Sequence, residues 1–252
     1  MATDPRPPDG APPYRSPSGL PPWNVPEGFV LFLAFLVVQV FVSQLPALPG
    51  VPALSLGGQL AASNALVLSI VYLFLRRKTA GPIEALRAVR LCRVNPLRMA
   101  KKSLLPLTVG IAALIGWGII QGAILSHFEI EIEQQPVVNF LRRTIEQDRP
   151  GQALLLAALA TVAVPVVEEI VFRALLYLPM RQRIGPVPAA LCISAIFSLV
   201  HGYIPGLGHF FILGLLFTWL LENTETLLAP IMTHAVHNGL MIALLFTSIA
   251  MD

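Results

Sequence analysis

Ala163-Val-Pro-Val-Val-Glu-Glu-Ile-Val-Phe-Arg-Ala-Leu-Leu-Tyr177 decides how this chain is read. Glu168, Glu169 and Arg173 stand in a run that is otherwise almost wholly apolar. A charge at the bilayer centre costs about 2.5–3.5 kcal/mol on insertion scales. Three charges within about a turn and a half of helix call for a site buried in protein or reached by water. Glu169 and Arg173 are i,i+4 and can pair across one helix face. Glu168 lies about 100° further round and is left as a free carboxylate. Pro165 removes one backbone hydrogen bond and predicts a kink just before the acids.

The rest of the chain supplies the membrane. Of 252 residues, 55% are hydrophobic and 12% charged, with a mean hydropathy of +0.72, too apolar for an ordinary soluble domain. The expected fold class is all-α: a polytopic transmembrane helical bundle of about seven spans (six to eight) around a buried intramembrane polar site. One transmembrane domain is expected over residues 28–250. Residues 1–27 hold nine prolines and read as a disordered Pro-rich cytoplasmic tail rather than a signal peptide.

The spans are expected at 28–45, 59–75, 103–126, 151–180, 186–200, 210–221 and 227–250. Surface amphipathic helices are expected at 82–97 and near 137–145. Gly202-Tyr-Ile-Pro-Gly-Leu-Gly208 breaks the helix after the fifth segment. Nine of the 17 Lys and Arg residues lie between Arg76 and Lys102, with Glu84 the only acid there. A loop this basic predicts a cytoplasmic face and membrane lipids as partners. It is wedged between spans, which argues against nucleic acid. The acids of 127–150 fit the opposite side. The localisation that follows is integral to the plasma (cell inner) membrane, N-terminus cytoplasmic. Cys92 and Cys192 form no CxxC pair, so neither a disulfide framework nor a thiolate zinc site is expected.

Two further groups of polar side chains fall at membrane depth. His201 closes Phe197-Ser-Leu-Val-His201. The last span carries Thr233-His-Ala-Val-His-Asn238, in which His234 and Asn238 share a face at i,i+4. Interhelical hydrogen bonding is the plain reading of these groups, and a structural ion pair is that of Glu169 and Arg173. The chemical reading is a carboxylate that deprotonates water beside imidazoles and an amide that hold a metal or an oxyanion. That set suits hydrolysis of an amide bond. The four aspartates, Asp4, Asp9, Asp148 and Asp252, all lie outside the spans, which excludes a two-aspartate intramembrane protease. Neither GxSxG nor HExxH occurs.

Glu168-Glu169-x-x-x-Arg173, Phe197-x-x-x-His201 and His234-x-x-x-Asn238, in that order, resemble the CPBP family of intramembrane proteases. This family (CAAX proteases and bacteriocin-processing enzymes, also called ABI) includes the type II CAAX prenyl proteases. The stretch from Gly214 to His234 resembles the approach to the family's last motif, and the likeness covers a protease-like core of about 150–245. The resemblance implies a membrane-embedded endopeptidase acting on a membrane-bound or lipidated peptide. Glu168 and His201 would activate water, His234 and Asn238 would hold the oxyanion, and Glu169 and Arg173 would orient Glu168. A zinc ion on Glu168, His201 and His234 and a purely glutamate-based site both stay open. His237 is read as packing, and His127 and His209 carry no assigned chemistry. The span count puts Glu168 near the cytoplasmic end of span four and His201 at the outer end of span five, so their meeting is the open point. The alternatives are a proton-coupled transporter with Glu168 as the proton carrier, and a non-catalytic immunity or scaffold protein of the same fold.

Overall fold

A computed structural model describes residues 21–45, 55–91, 94–130, 136–147 and 149–251. Most of the expected tail, the turn after the first span, Cys92 and Arg93 lie outside them. Among the described residues the chain is helical: α1 Val25–Gln44, α2 Leu56–Lys78, α3 Pro82–Ala88, α4 Pro96–His127, α5 Pro136–Glu146, α6 Pro150–Ile184, α7 Pro186–Val200, α8 Leu207–Thr224 and α9 Leu228–Met251. Six of these (α1, α2, α4, α6, α8 and α9) are long and apolar enough to cross a membrane. α7 is a seventh apolar helix of 15 residues. At about 1.5 Å per residue it is shorter than a hydrocarbon core of about 30 Å.

Local chemistry sets the helix ends. α1 begins inside the stretch read as tail, because Asn24 and Glu27 form a reciprocal capping box and Trp23 is buried. Glu27 pairs with Lys78, which fixes the start of α1 beside the end of α2. The expected surface helix of 82–97 is shorter. It stops at Ala88, and Arg90 turns into the left-handed region at φ 58°. In that conformation Arg90 offers its carbonyl to the N–H of Leu227 (3.0 Å) and to the hydroxyl of Thr226 (3.2 Å). The basic loop is thereby tied to the turn that starts α9.

α6 organises the bundle. Its backbone widens into π turns at Leu159–Ala163 and Ile170–Tyr177, with an α segment, Val164–Glu169, between them. Pro165 falls just after the first widened turn, where its missing donor is absorbed. Every residue from Ile170 to Tyr177 is buried. Phe172 packs edge-on against Phe32, Phe35 and Phe197 at 5.1–6.2 Å between centroids, so three helices converge on one ring.

α1 reaches this core through Gly28. A Cβ there would stand 2.1 Å from the Leu175 carbonyl oxygen, whereas at Gly57 it would meet only the mobile end of Leu155 at 3.2 Å. Gly28→Ala is therefore expected to lift α1 off α6 and cost about 1–3 kcal/mol. A detergent melting curve should show a clear drop for Gly28→Ala and a smaller one for Gly57→Ala.

The length of α6 corrects the depth expectation. The helix runs on to Ile184, so Glu168 lies 16 residues from its basic end rather than near it. His201 directly follows the 15 residues of α7, which starts from the same end. Both residues stand about 22–24 Å along their helices from that end.

Candidate active site

α6 and α9 face each other where the motif residues lie. Glu169 and Arg173 are fully buried, with Arg173 Nε 3.1 Å from Glu169 Oε2. The two meet at ion-pair distance without hydrogen-bond alignment. Arg173 is held by other means as well. Its Nη2 donates to the Gly214 carbonyl at 3.3 Å. Its guanidinium lies 4.5 Å from the centroid of Phe197, 5.2 Å from Phe217 and 5.8 Å from Phe172. Three rings and one carbonyl thus replace the water that a buried guanidinium loses. Gly214 is what lets α8 come this close to α7, since a Cβ there would sit 2.9 Å from Ser194 Cα.

His234, 4% exposed, stands between the two acids. Its Nδ1 is 3.0 Å from Glu169 Oε1 and its Nε2 is 3.8 Å from Glu168 Oε2. The ring stacks on Phe217 at 4.7 Å and 22°. Glu169 therefore joins the cation and the imidazole: one oxygen faces Arg173 and the other His234. A carboxylate only accepts, so His234 Nδ1 carries the proton of that contact. In a neutral His234 ring the Nε2 is a lone pair facing Oε2 of Glu168, an oxygen with no hydrogen bond on a side chain 16% exposed. Two acceptors at 3.8 Å need a donor between them: a proton or a water.

The other motif residues are placed nearby but differently engaged. His201 Nδ1 lies 2.6 Å from the Phe197 carbonyl, which fixes the proton on Nδ1 and leaves Nε2 as a base. Its ring stacks on Phe210 at 4.0 Å. Phe197 contacts both histidine rings, His201 at 4.6 Å and His234 at 6.1 Å. Asn238 is one turn beyond His234 on α9, and its Nδ2 donates to the Ala160 carbonyl at 3.0 Å, in the first π turn. One amide hydrogen of Asn238 remains to donate elsewhere.

The structure thus gathers Glu168, Glu169, Arg173 and His234 in direct contact. Asn238 is anchored beside them, and His201 is joined to them through Phe197. Glu168, His201 and His234 do not close into a metal set, and among the described residues no three His, Cys, Asp or Glu side chains are grouped to hold an ion. Phe172, Phe217 and Gly214, which hold Arg173, carried no sequence signal as site residues; only their apolar spans were legible.

A multi-span helical protein with a buried carboxylate–imidazole–guanidinium centre is the class that fold and site define. Residues 150–240 match the family model of the type II CAAX prenyl endopeptidase Rce1-like proteins. That segment spans all three motifs, so the likeness to the CAAX protease (CPBP) family holds over the part of the chain that builds the centre. No curated protein and no solved structure matches the chain.

Proposed function

We propose that the chain is an intramembrane endopeptidase that hydrolyses a peptide bond in a membrane-associated, CAAX-type substrate. The observation that carries this is the gap between Glu168 Oε2 and His234 Nε2, two acceptors 3.8 Å apart with no protein donor between them. The 3.8 Å separation is one that a single water about 2.8 Å from each would bridge. Glu168 takes one proton from that water, and the oxygen attacks the carbonyl carbon of the scissile bond. The proton then passes to the leaving nitrogen as the C–N bond breaks. Asn238 supplies an amide donor for the tetrahedral oxyanion, and His201, on the far side of Phe197, is proposed as a second base through its Nε2. Glu169, balanced by Arg173, fixes the tautomer and orientation of His234. No step here runs through a metal.

The basic loop and the α6 end with Arg181 and Arg183 are proposed to face the cytoplasm, with the N-terminus on that side. The substrate enters from the membrane, where a lipidated peptide already resides. The test is cleavage of a fluorogenic farnesylated CAAX peptide by the detergent-purified chain, with and without a chelator. Cleavage that persists in the chelator supports the metal-free chemistry. Cleavage of neither this peptide nor a panel of membrane-anchored peptides overturns the reading.

A further inference from the structure

His209 on α8 and His237 on α9 take no part in the centre described above, yet their Nε2 atoms approach to 3.3 Å. The rings lie 5.2 Å apart at their centroids and are tilted by 37°. Two imidazoles on one tetrahedral ion with bonds of about 2.05 Å place their nitrogens about 3.3 Å apart and their centroids about 5.2 Å apart. A head-on N–H···N contact at the same nitrogen separation would place the centroids about 5.6 Å apart. The observed pair can be a long hydrogen bond in one tautomer, and it also has the bite of a shared ion.

The surroundings suit an open site. His209 lines a cavity of about 340 Å³ with Gln121, Tyr203, Pro205 and Phe210. Space for the remaining ligands therefore adjoins His209. The two histidines come from different helices, and His237 immediately precedes Asn238 on α9. Two neutral imidazoles suit a borderline divalent ion better than magnesium or calcium, which prefer oxygen.

We propose that His209 and His237 form a binding site for a zinc-class divalent ion, with its open positions toward the cavity, separate from the Glu168–His234 pair. On binding, each ring keeps its proton on Nδ1 and gives its Nε2 lone pair to the ion, so no proton need be released. Water or a substrate carbonyl completes the coordination.

The test measures metal rather than proteolysis, so it stands apart from the peptidase reading. Chelator-stripped full-length protein in detergent is dialysed against zinc and bound metal is counted. In parallel, cobalt is added and its tetrahedral visible bands are recorded. The expected result is one ion per chain, lost in His209→Phe and in His237→Phe and kept in Glu168→Gln and His201→Phe. Melting curves confirm that the variants remain folded, and His237→Cys, which keeps a ligand, is expected to retain the ion. Absence of bound ion in wild type overturns the site. So does retention in both phenylalanine variants, and so does loss in Glu168→Gln, which would move the ion to the other set.

Discussion

Glu168→Gln is expected to lower kcat/KM for a farnesylated CAAX peptide by about 10²–10⁴-fold, the range in which a positioned general base contributes. The substitution changes little else. Glu168 Oε2 makes no hydrogen bond, and Glu168, unlike Glu169, carries no ion pair with Arg173. Glutamine keeps the shape and can even donate to His234 Nε2, filling the gap with its own amide. The melting temperature should therefore hold or rise slightly while cleavage disappears. A variant that cleaves within a few-fold of wild type would sink the assignment of Glu168 as the base. A variant that melts far below wild type would show that Glu168 holds the fold instead.

The second large effect is on stability. Arg173→Met removes the only cation from a centre whose two acids stay in place, and leaves Glu169 buried and uncompensated. Breaking a buried pair from one side costs about 3–5 kcal/mol. Arg173→Met should therefore melt much earlier, or fail to accumulate in the membrane. The double variant Glu169→Gln, Arg173→Met should recover most of that loss, because glutamine still accepts from His234 Nδ1 and methionine fills the space among Phe172, Phe197 and Phe217. Equal melting of the single and double variants would mean that the cation is held by the rings and the Gly214 carbonyl alone.

The sequence made part of this centre readable. Glu169 and Arg173 are four apart on one helix, and a pairing set by backbone spacing survives whatever the tertiary structure does. The same spacing put His234 and Asn238 on one face of α9. Which acid would meet which imidazole was not readable. It depends on how α6 and α9 rotate against each other, and the π turns set that rotation. Glu169 was expected to pair with Arg173 and orient Glu168; in the fold its second oxygen meets His234. The depth of Glu168 was misjudged because four residues of α6, Arg181 to Ile184, are polar or end the helix, so the span was cut at Met180. The pairing of His209 with His237 joins positions 28 residues apart and leaves no periodic trace. The apolar spans, by contrast, were legible almost to their ends, since hydropathy is a sum over many residues and tolerates local error.

The two π turns of α6 also fix the phase of the helix on either side of the acids. A π turn holds about one residue more than an α turn. Closing Leu159–Ala163 into a regular α turn with no residue removed would turn that extra residue into rotation. The part of α6 before the turn would then swing by about 100° relative to the acids. The carbonyl of Ala160 would leave the amide of Asn238, while Glu168, Glu169 and Arg173 kept their places. One residue of slack is thus the difference between a helix that merely crosses the bilayer and one whose two halves address the same partner helix.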